Sequence, residues 1–138
     1  MDKKIVNYMS TNKVFTLATC INHVPYCANC FYVFDSTNNI LIFLSDNETR
    51  HIMEALKNKN VAGTINTDVI TVAKIKGIQF TGEFINPEGA QKEEFYSLYY
   101  HKFPFAKAKP SPIWGINLTF IKMTDNTLGF GKKLIWER

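Results

Sequence analysis

Two segments of this chain, 26–34 (Tyr-Cys-Ala-Asn-Cys-Phe-Tyr-Val-Phe) and 40–45 (Ile-Leu-Ile-Phe-Leu-Ser), are apolar at successive positions rather than at alternate ones. Side chains of a strand point in turn to its two faces, so strands of this kind need cover on both. A sheet with one wet face is excluded here. A small barrel supplies cover on one side. A second copy of the chain is expected to supply the other, which makes a homodimer the expected state.

The neighbouring sequence fits a meander. Val14–Ile21 alternates, with Phe15, Leu17, Thr19 and Ile21 on one face, and Asn22-His23 marks a turn. Asp35-Ser-Thr-Asn-Asn39 is a second turn, dense in side chains that bond their own backbone. Short connections make 14–45 an antiparallel run of three strands.

Elsewhere the spacing predicts a helix over 2–10 capped by Asp2, with Ile5, Tyr8 and Met9 on its inner stripe, and a helix over 47–58 whose inner stripe is Ile52, Met53 and Leu56. Strands are predicted at 61–66, 74–85, 113–123 and 132–136. In 74–85 the apolar positions change from odd (Ala73, Ile75) to even (Ile78, Phe80, Phe84), which predicts a β-bulge at Gly77. Asn86-Pro87 is expected to open a third helix with Pro at its first position, carrying Phe95, Leu98 and Tyr99 inward and ending at Pro104. Trp114, Ile116, Leu118 and Phe120 are expected to face one way. The order α-βββ-α-ββ-α-ββ gives a β-rich α+β domain over 1–138, its seven strands closing into a small antiparallel barrel with a few peripheral helices.

Composition narrows the classes. The longest apolar runs are five residues, Cys30 to Phe34 and Ile40 to Leu44. A membrane helix needs roughly twenty, so neither a membrane segment nor a secretory signal is expected. Residues 1–101 hold nine Lys/Arg against ten Asp/Glu, and 102–138 hold seven against two. The basic C-terminal third suits an anionic partner but lacks the charge blocks of a nucleic-acid arm. Three cysteines within eleven residues, Cys20, Cys27 and Cys30, read as free thiols in a reducing cytoplasm. Together with His23 they have zinc-like composition. Cys27 and Cys30 lie an odd number apart on one strand and so point to opposite faces, which argues against a metal site.

Ser45-Asp-Asn-Glu-Thr-Arg-His51 carries the strongest chemical signal. A strand ends and a helix begins among hydroxyls, an imidazole and a guanidinium, where free N–H donors and the helix dipole favour an anion. The alternative is a solvated cap with Arg50 paired to Glu54 one turn on. Asn29 and Gln79 interrupt apolar strands. Trp114, just after Pro112, reads as core or as a ligand platform.

CANCFYVFD (27–35), TRH (49–51), VAGTIN (61–66), IKGIQFTGE (75–83) and PIWGINLTFIKMTDNTLGFGKKLIW (112–136) resemble the pyridoxamine 5′-phosphate oxidase-like FMN-binding split barrels, and within them the YhbP-like branch. The resemblance spans nearly the whole chain. It implies a homodimer with two flavin sites at the interface, and an FMN phosphate at Ser45, Asp46, Thr49, Arg50 and His51. It places the ring near Asn29, Cys30 and Phe31, within reach of Gln79, with Trp114 and Lys132 closing the site from the partner. Such a flavoprotein is expected to be an oxidoreductase acting on a small molecule that the resemblance does not specify, and no catalytic residue is singled out. The chain departs from the oxidase proper: its loop has one Arg and one His, and its second strand has no Arg, which argues against pyridoxamine phosphate as substrate. Related split barrels bind haem or a deazaflavin. Haem is the alternative cofactor, with His23, His51 or His101 as axial ligand, and a non-enzymatic flavin- or anion-binding dimer is the alternative role.

Overall fold

The computed structural model covers Met1–Arg138. Its seven strands are β1 (Val14–Ile21), β2 (Val24–Asp35), β3 (Ile40–Leu44), β4 (Asn60–Asn66), β5 (Lys76–Ile85), β6 (Ile113–Asp125) and β7 (Lys133–Glu137). The helices are α1 (Lys3–Thr11), α2 (Arg50–Lys57) and α3 (Gly89–Lys102). The antiparallel sheet runs β3-β2-β1-β4-β5-β6-β7, and a further β3–β6 pairing closes it. Six strands therefore make the barrel. β7 continues along the edge of β6 beyond β3, pairing with Phe120–Thr124 where β3 pairs with Ile113–Asn117. This is the expected β-rich α+β split barrel with peripheral helices.

The local signals are physically direct. Asp2 accepts from the Lys4 N–H at 2.7 Å and caps α1. Asn22 and His23 both take positive φ, the geometry of a two-residue hairpin that matches strand twist. Asp35 accepts from the backbone of Thr37 and Asn38 and fixes the β2–β3 turn.

Two apolar layers account for β3. Leu41 and Phe43 point into the main core of 21 buried residues inside the barrel. Ile40 and Ile42 point outward and join Phe95, Tyr99, Phe103 and Ile113 in a second cluster beneath α3. The outer face of β3 is thus covered by the chain's own helix and not by a second copy. β2 differs from expectation in its first half: Val24, Cys27, Asn29 and Phe31 are exposed, and only Cys30, Tyr32 and Phe34 are buried.

The open ends of the barrel are plugged. Ile5 and Met9 of α1 enter the main core, and the buried Tyr32 hydroxyl donates to the Met9 carbonyl at 2.6 Å. Ile52 and Ala55 of α2 fill the other end. Met53 and Leu56, expected inside, are exposed, because a helix laid across a narrow opening buries a thinner stripe than one laid along a sheet. In α3, Phe95 and Tyr99 are buried and Leu98 is half-buried; the helix begins at Gly89 behind the cap Glu88, so Pro87 precedes it rather than opening it.

The bulge lies elsewhere than expected. Gly77 pairs regularly with Asn66 and with Thr124. Ala73 and Ile75 stand out of phase because Val72–Lys74 is a 3₁₀ turn ahead of the strand. The register breaks where Thr81 faces Phe120 and Gly82 faces Leu118, leaving Thr119 as the extra residue on β6. Trp114, Ile116 and Leu118 are buried before the break and Ile121 and Met123 after it, so Phe120 does not share their face.

Backbones approach closely at that bulge. A Cβ at Gly82 would lie 2.7 Å from the Asn117 carbonyl oxygen and 2.7 Å from Ile116 Cγ2, whereas one at Gly77 meets nothing nearer than 3.8 Å. Gly82→Ala should cost about 1–3 kcal/mol through overpacking. Gly77→Val should stay within about 0.5 kcal/mol. Urea denaturation of both variants checks the contrast.

Candidate functional site

β3 pairs with β2 only from Tyr32 to Asp35, while β2 continues back to Val24. Residues 24–31 therefore have no strand neighbour on that edge. The Ser45–Thr49 loop and the start of α2 lie alongside, with the Arg50 guanidinium 4.2 Å above the Tyr26 ring. The split in the barrel and the polar loop are one place.

The loop is fastened from below. The Ser45 N–H donates to the Pro112 carbonyl at 3.1 Å, and the Trp114 indole N–H donates to the Ser45 carbonyl at 2.8 Å. Trp114 is itself buried and stacked on Phe84 with centroids 5.3 Å apart. It is core, and its polar edge sets the position of Ser45.

Side chains of the loop converge. Ser45 Oγ lies 2.8 Å from His51 Nε2 and 3.2 Å from Thr49 Oγ1, and the Thr49 hydroxyl donates to the Asp46 carbonyl at 2.8 Å. Burial lowers the His51 pKa, favouring neutral imidazole. Arg50 Nε donates to Glu54 Oε1 at 2.8 Å, the pairing weighed from the spacing. The second Glu54 oxygen accepts from the Thr19 hydroxyl at 2.6 Å.

A second group lies on the outer wall of the barrel. Register places Asn29, Thr16, Thr64, Gln79 and Lys122 in one transverse row across β2, β1, β4, β5 and β6. Asn29 is exposed, and its Oδ1 accepts from the Thr16 hydroxyl at 2.8 Å. Two clefts of about 430 and 640 Å³ open on this wall, the larger lined by Thr64, Gln79, Lys76 and Thr124. No helix covers the wall. Thr16, Thr64 and Lys122 escaped the sequence reading; their signal is their place opposite the core phase of each strand.

Among the residues expected at a cofactor, Ser45, Asp46, Thr49, Arg50 and His51 fall together at the split. Asn29 and Gln79 share the outer row. Phe31 is exposed beside them and packs edge-on against Phe103. Cys30 instead faces the barrel interior, where burial pushes its thiol up to about 12. Lys132 is exposed just before β7. It stands near Asp125, at the end of β6 remote from Ser45, roughly 40 Å along the strand. Cys27 is exposed and Cys30 buried, on opposite faces as expected, and no group of three His, Cys, Asp or Glu is placed to hold a metal.

No protein-family model matches the chain. It is 45% identical over 134 residues to the UPF0306 protein plu4501 of Photorhabdus laumondii, across 97% of this chain and 94% of that one. The chain belongs to the UPF0306 family. A second UPF0306 relative, YhbP of Salmonella paratyphi A, is 44% identical over 128 residues, covering 91% of this chain and 87% of its own. Among solved structures, a heme binding protein from Mycobacterium smegmatis superposes with a TM-score of 0.77 at 14% identity, over 94% of this chain and 55% of that one. A FAD-binding protein from Mesorhizobium loti gives 0.72 at 14%, over 89% and 94%. A NimC/NimA family protein from Clostridium acetobutylicum gives 0.71 at 20%, over 99% and 91%. At these identities the UPF0306 chain shares their fold.

The half-buried imidazole of His51 has a consequence for pH. A His whose folded pKa is lowered binds its proton more weakly than in the unfolded chain, so the stability it confers is complete above the unfolded value, about 6.5, and is lost as pH falls through the folded value. Melting temperature should fall between pH 7.5 and 5.5 in the natural protein and fall less in His51→Gln. Thermal melts at both pH values check this.

Proposed function

We propose that this UPF0306 protein binds FMN at the split of its barrel and works as a homodimeric flavoprotein, an oxidoreductase toward a small-molecule substrate. The observation that carries the reading is the convergence of Ser45, Thr49 and His51 at the start of α2, with the adjacent Arg50 guanidinium over Tyr26 beside the unpaired edge of β2. Hydroxyls, free helix N–H groups and a guanidinium are the donors a phosphate monoester takes. The exposed edge of β2 offers backbone donors and acceptors suited to the edge of a heterocycle. The outer row of Asn29, Thr16, Thr64 and Gln79 offers uncharged polar groups to a ring or to a second copy. When bound, the flavin ring supplies the redox chemistry, while the chain binds and orients it. A FAD-binding and a heme binding protein among the neighbours of the same fold are in keeping with a cofactor role.

The homodimer rests on the uncovered wall. Val14, Phe31 and Ile135 stand 41%, 55% and 63% exposed among its polar rows, apolar surface that the chain leaves bare. A partner seated there would bury on the order of 2,000 Å². It would also bring a second basic C-terminal segment, Lys132 included, toward the split. Light scattering at micromolar concentration should give twice the chain mass, and a monomer mass would remove this part of the reading.

Arg50→Ala should weaken FMN binding about ten- to a hundredfold, the worth of a hydrogen bond to a charged group. Riboflavin, which lacks the phosphate, should bind as before. Flavin-fluorescence titration with both ligands checks it. Equal losses, or none, would overturn the phosphate site, and a Soret band in the purified protein would favour haem.

A further inference from the structure

Arg50 is held in an unusual way for an exposed arginine. Its Nε–H is spent on Glu54 Oε1 at 2.8 Å, and its guanidinium carbon lies 4.2 Å from the centroid of the Tyr26 ring. Its two terminal amino groups make no hydrogen bond within the chain. Glu54 is held in turn. Its other oxygen accepts from Thr19 at 2.6 Å, and Thr19 is a buried residue of β1, 2% exposed on the face that lines the barrel. The contact runs between residues 35 positions apart, so it is made by the fold and not by helix spacing. Hydrogen bonds from Thr19 first and Arg50 second keep the Glu54 carboxyl below its ordinary pKa, so it stays an acceptor at neutral pH.

A long, flexible side chain that must be frozen on binding costs affinity. One that is already frozen, with its fork free, does not. We infer that Thr19 and Glu54 are positioning residues that hold the Arg50 guanidinium against Tyr26 with both terminal amino groups presented to a phosphate monoester. This rests on the phosphate reading of the loop given above. It assigns a role to Thr19 and Glu54, which touch no ligand themselves. It also gives the Arg50–Glu54 pair a purpose that its small contribution to helix stability does not.

The roles of charge and of geometry separate by substitution. Glu54→Ala removes the support and should weaken FMN binding roughly three- to tenfold, the cost of ordering one side chain at the moment of binding, with riboflavin affinity unchanged. Glu54→Gln keeps a carbonyl oxygen for Arg50 Nε and an amide for the Thr19 oxygen, and removes a negative charge, so it should bind FMN at least as tightly as the natural protein. Thr19→Val should lose affinity in the same direction as Glu54→Ala, and Thr19→Ser should restore it. Fluorescence titration of FMN and riboflavin against the natural protein and the four variants reads all of this. Glu54→Ala binding FMN as well as or better than the natural protein would overturn the proposal, since Glu54 would then be neutral or a competitor for Arg50. Equal loss of FMN and riboflavin in Glu54→Ala would overturn it too, since the residue would then be structural only. A natural protein that binds the two flavins alike would overturn the phosphate site itself and this proposal with it; a natural preference for FMN with no effect at Glu54 would leave the site standing and remove only the relay.

Discussion

Closure through β3 is the constraint on which the rest of the molecule depends. Of its five residues, Ile40–Phe43 pair with β2 along one edge and Ile40–Leu44 pair with β6 along the other. Their alternate side chains fill the barrel on one side and the α3 layer on the other. Had β3 been longer, it would have run down the whole of β2 and sealed it. Because it stops at Leu44, the chain has to turn out at Ser45 and re-enter as α2, and a length of β2 is left without a neighbour. The polar loop, the helix start and the bare strand edge are three results of one short strand.

Much of this was legible in the sequence. The bounds of β1, the Asp2 cap, the turns at Asn22-His23 and 35–39, and the element order all follow from local chemistry, and the structure keeps them. Errors arose where two signals overlapped. The phase change before Gly77 is real, but it marks a 3₁₀ turn meeting a strand. The true irregularity, at Thr119, shows as a shift from Trp114, Ile116 and Leu118 to Ile121 and Met123, and the apolar Phe120 between them hid it. The apolar outer face of β3 suggests a partner chain because nothing in the strand says that α3, almost fifty residues later in the chain, lies on it.

The candidate site divides along the same line. Ser45, Thr49, Arg50 and His51 are close in sequence and are visible there as a cluster of types. Thr19 and Tyr26 come from β1 and β2 and reach Arg50 and Glu54 only through the barrel's closure, so no spacing announces them. Trp114 was visible as a large aromatic residue after a proline, but its task, a 2.8 Å bond to the Ser45 carbonyl, depends on β6 lying beside β3.

That β3–β6 ladder joins Ile40 to Asn117, residues far apart along the chain. The meander of β1, β2 and β3 can assemble from near neighbours, yet its outer edge stays open until β6 has emerged and found it. Contacts of such long range must meet the entropy of closing the intervening loop before they return any energy, so they form late and slowly. During synthesis the apolar stretch Ile40–Leu44 waits as an unpaired edge, the kind of segment that pairs readily with another chain. The same ladder that shapes the binding split therefore makes this fold's assembly a race between closing on itself and sticking to its neighbours.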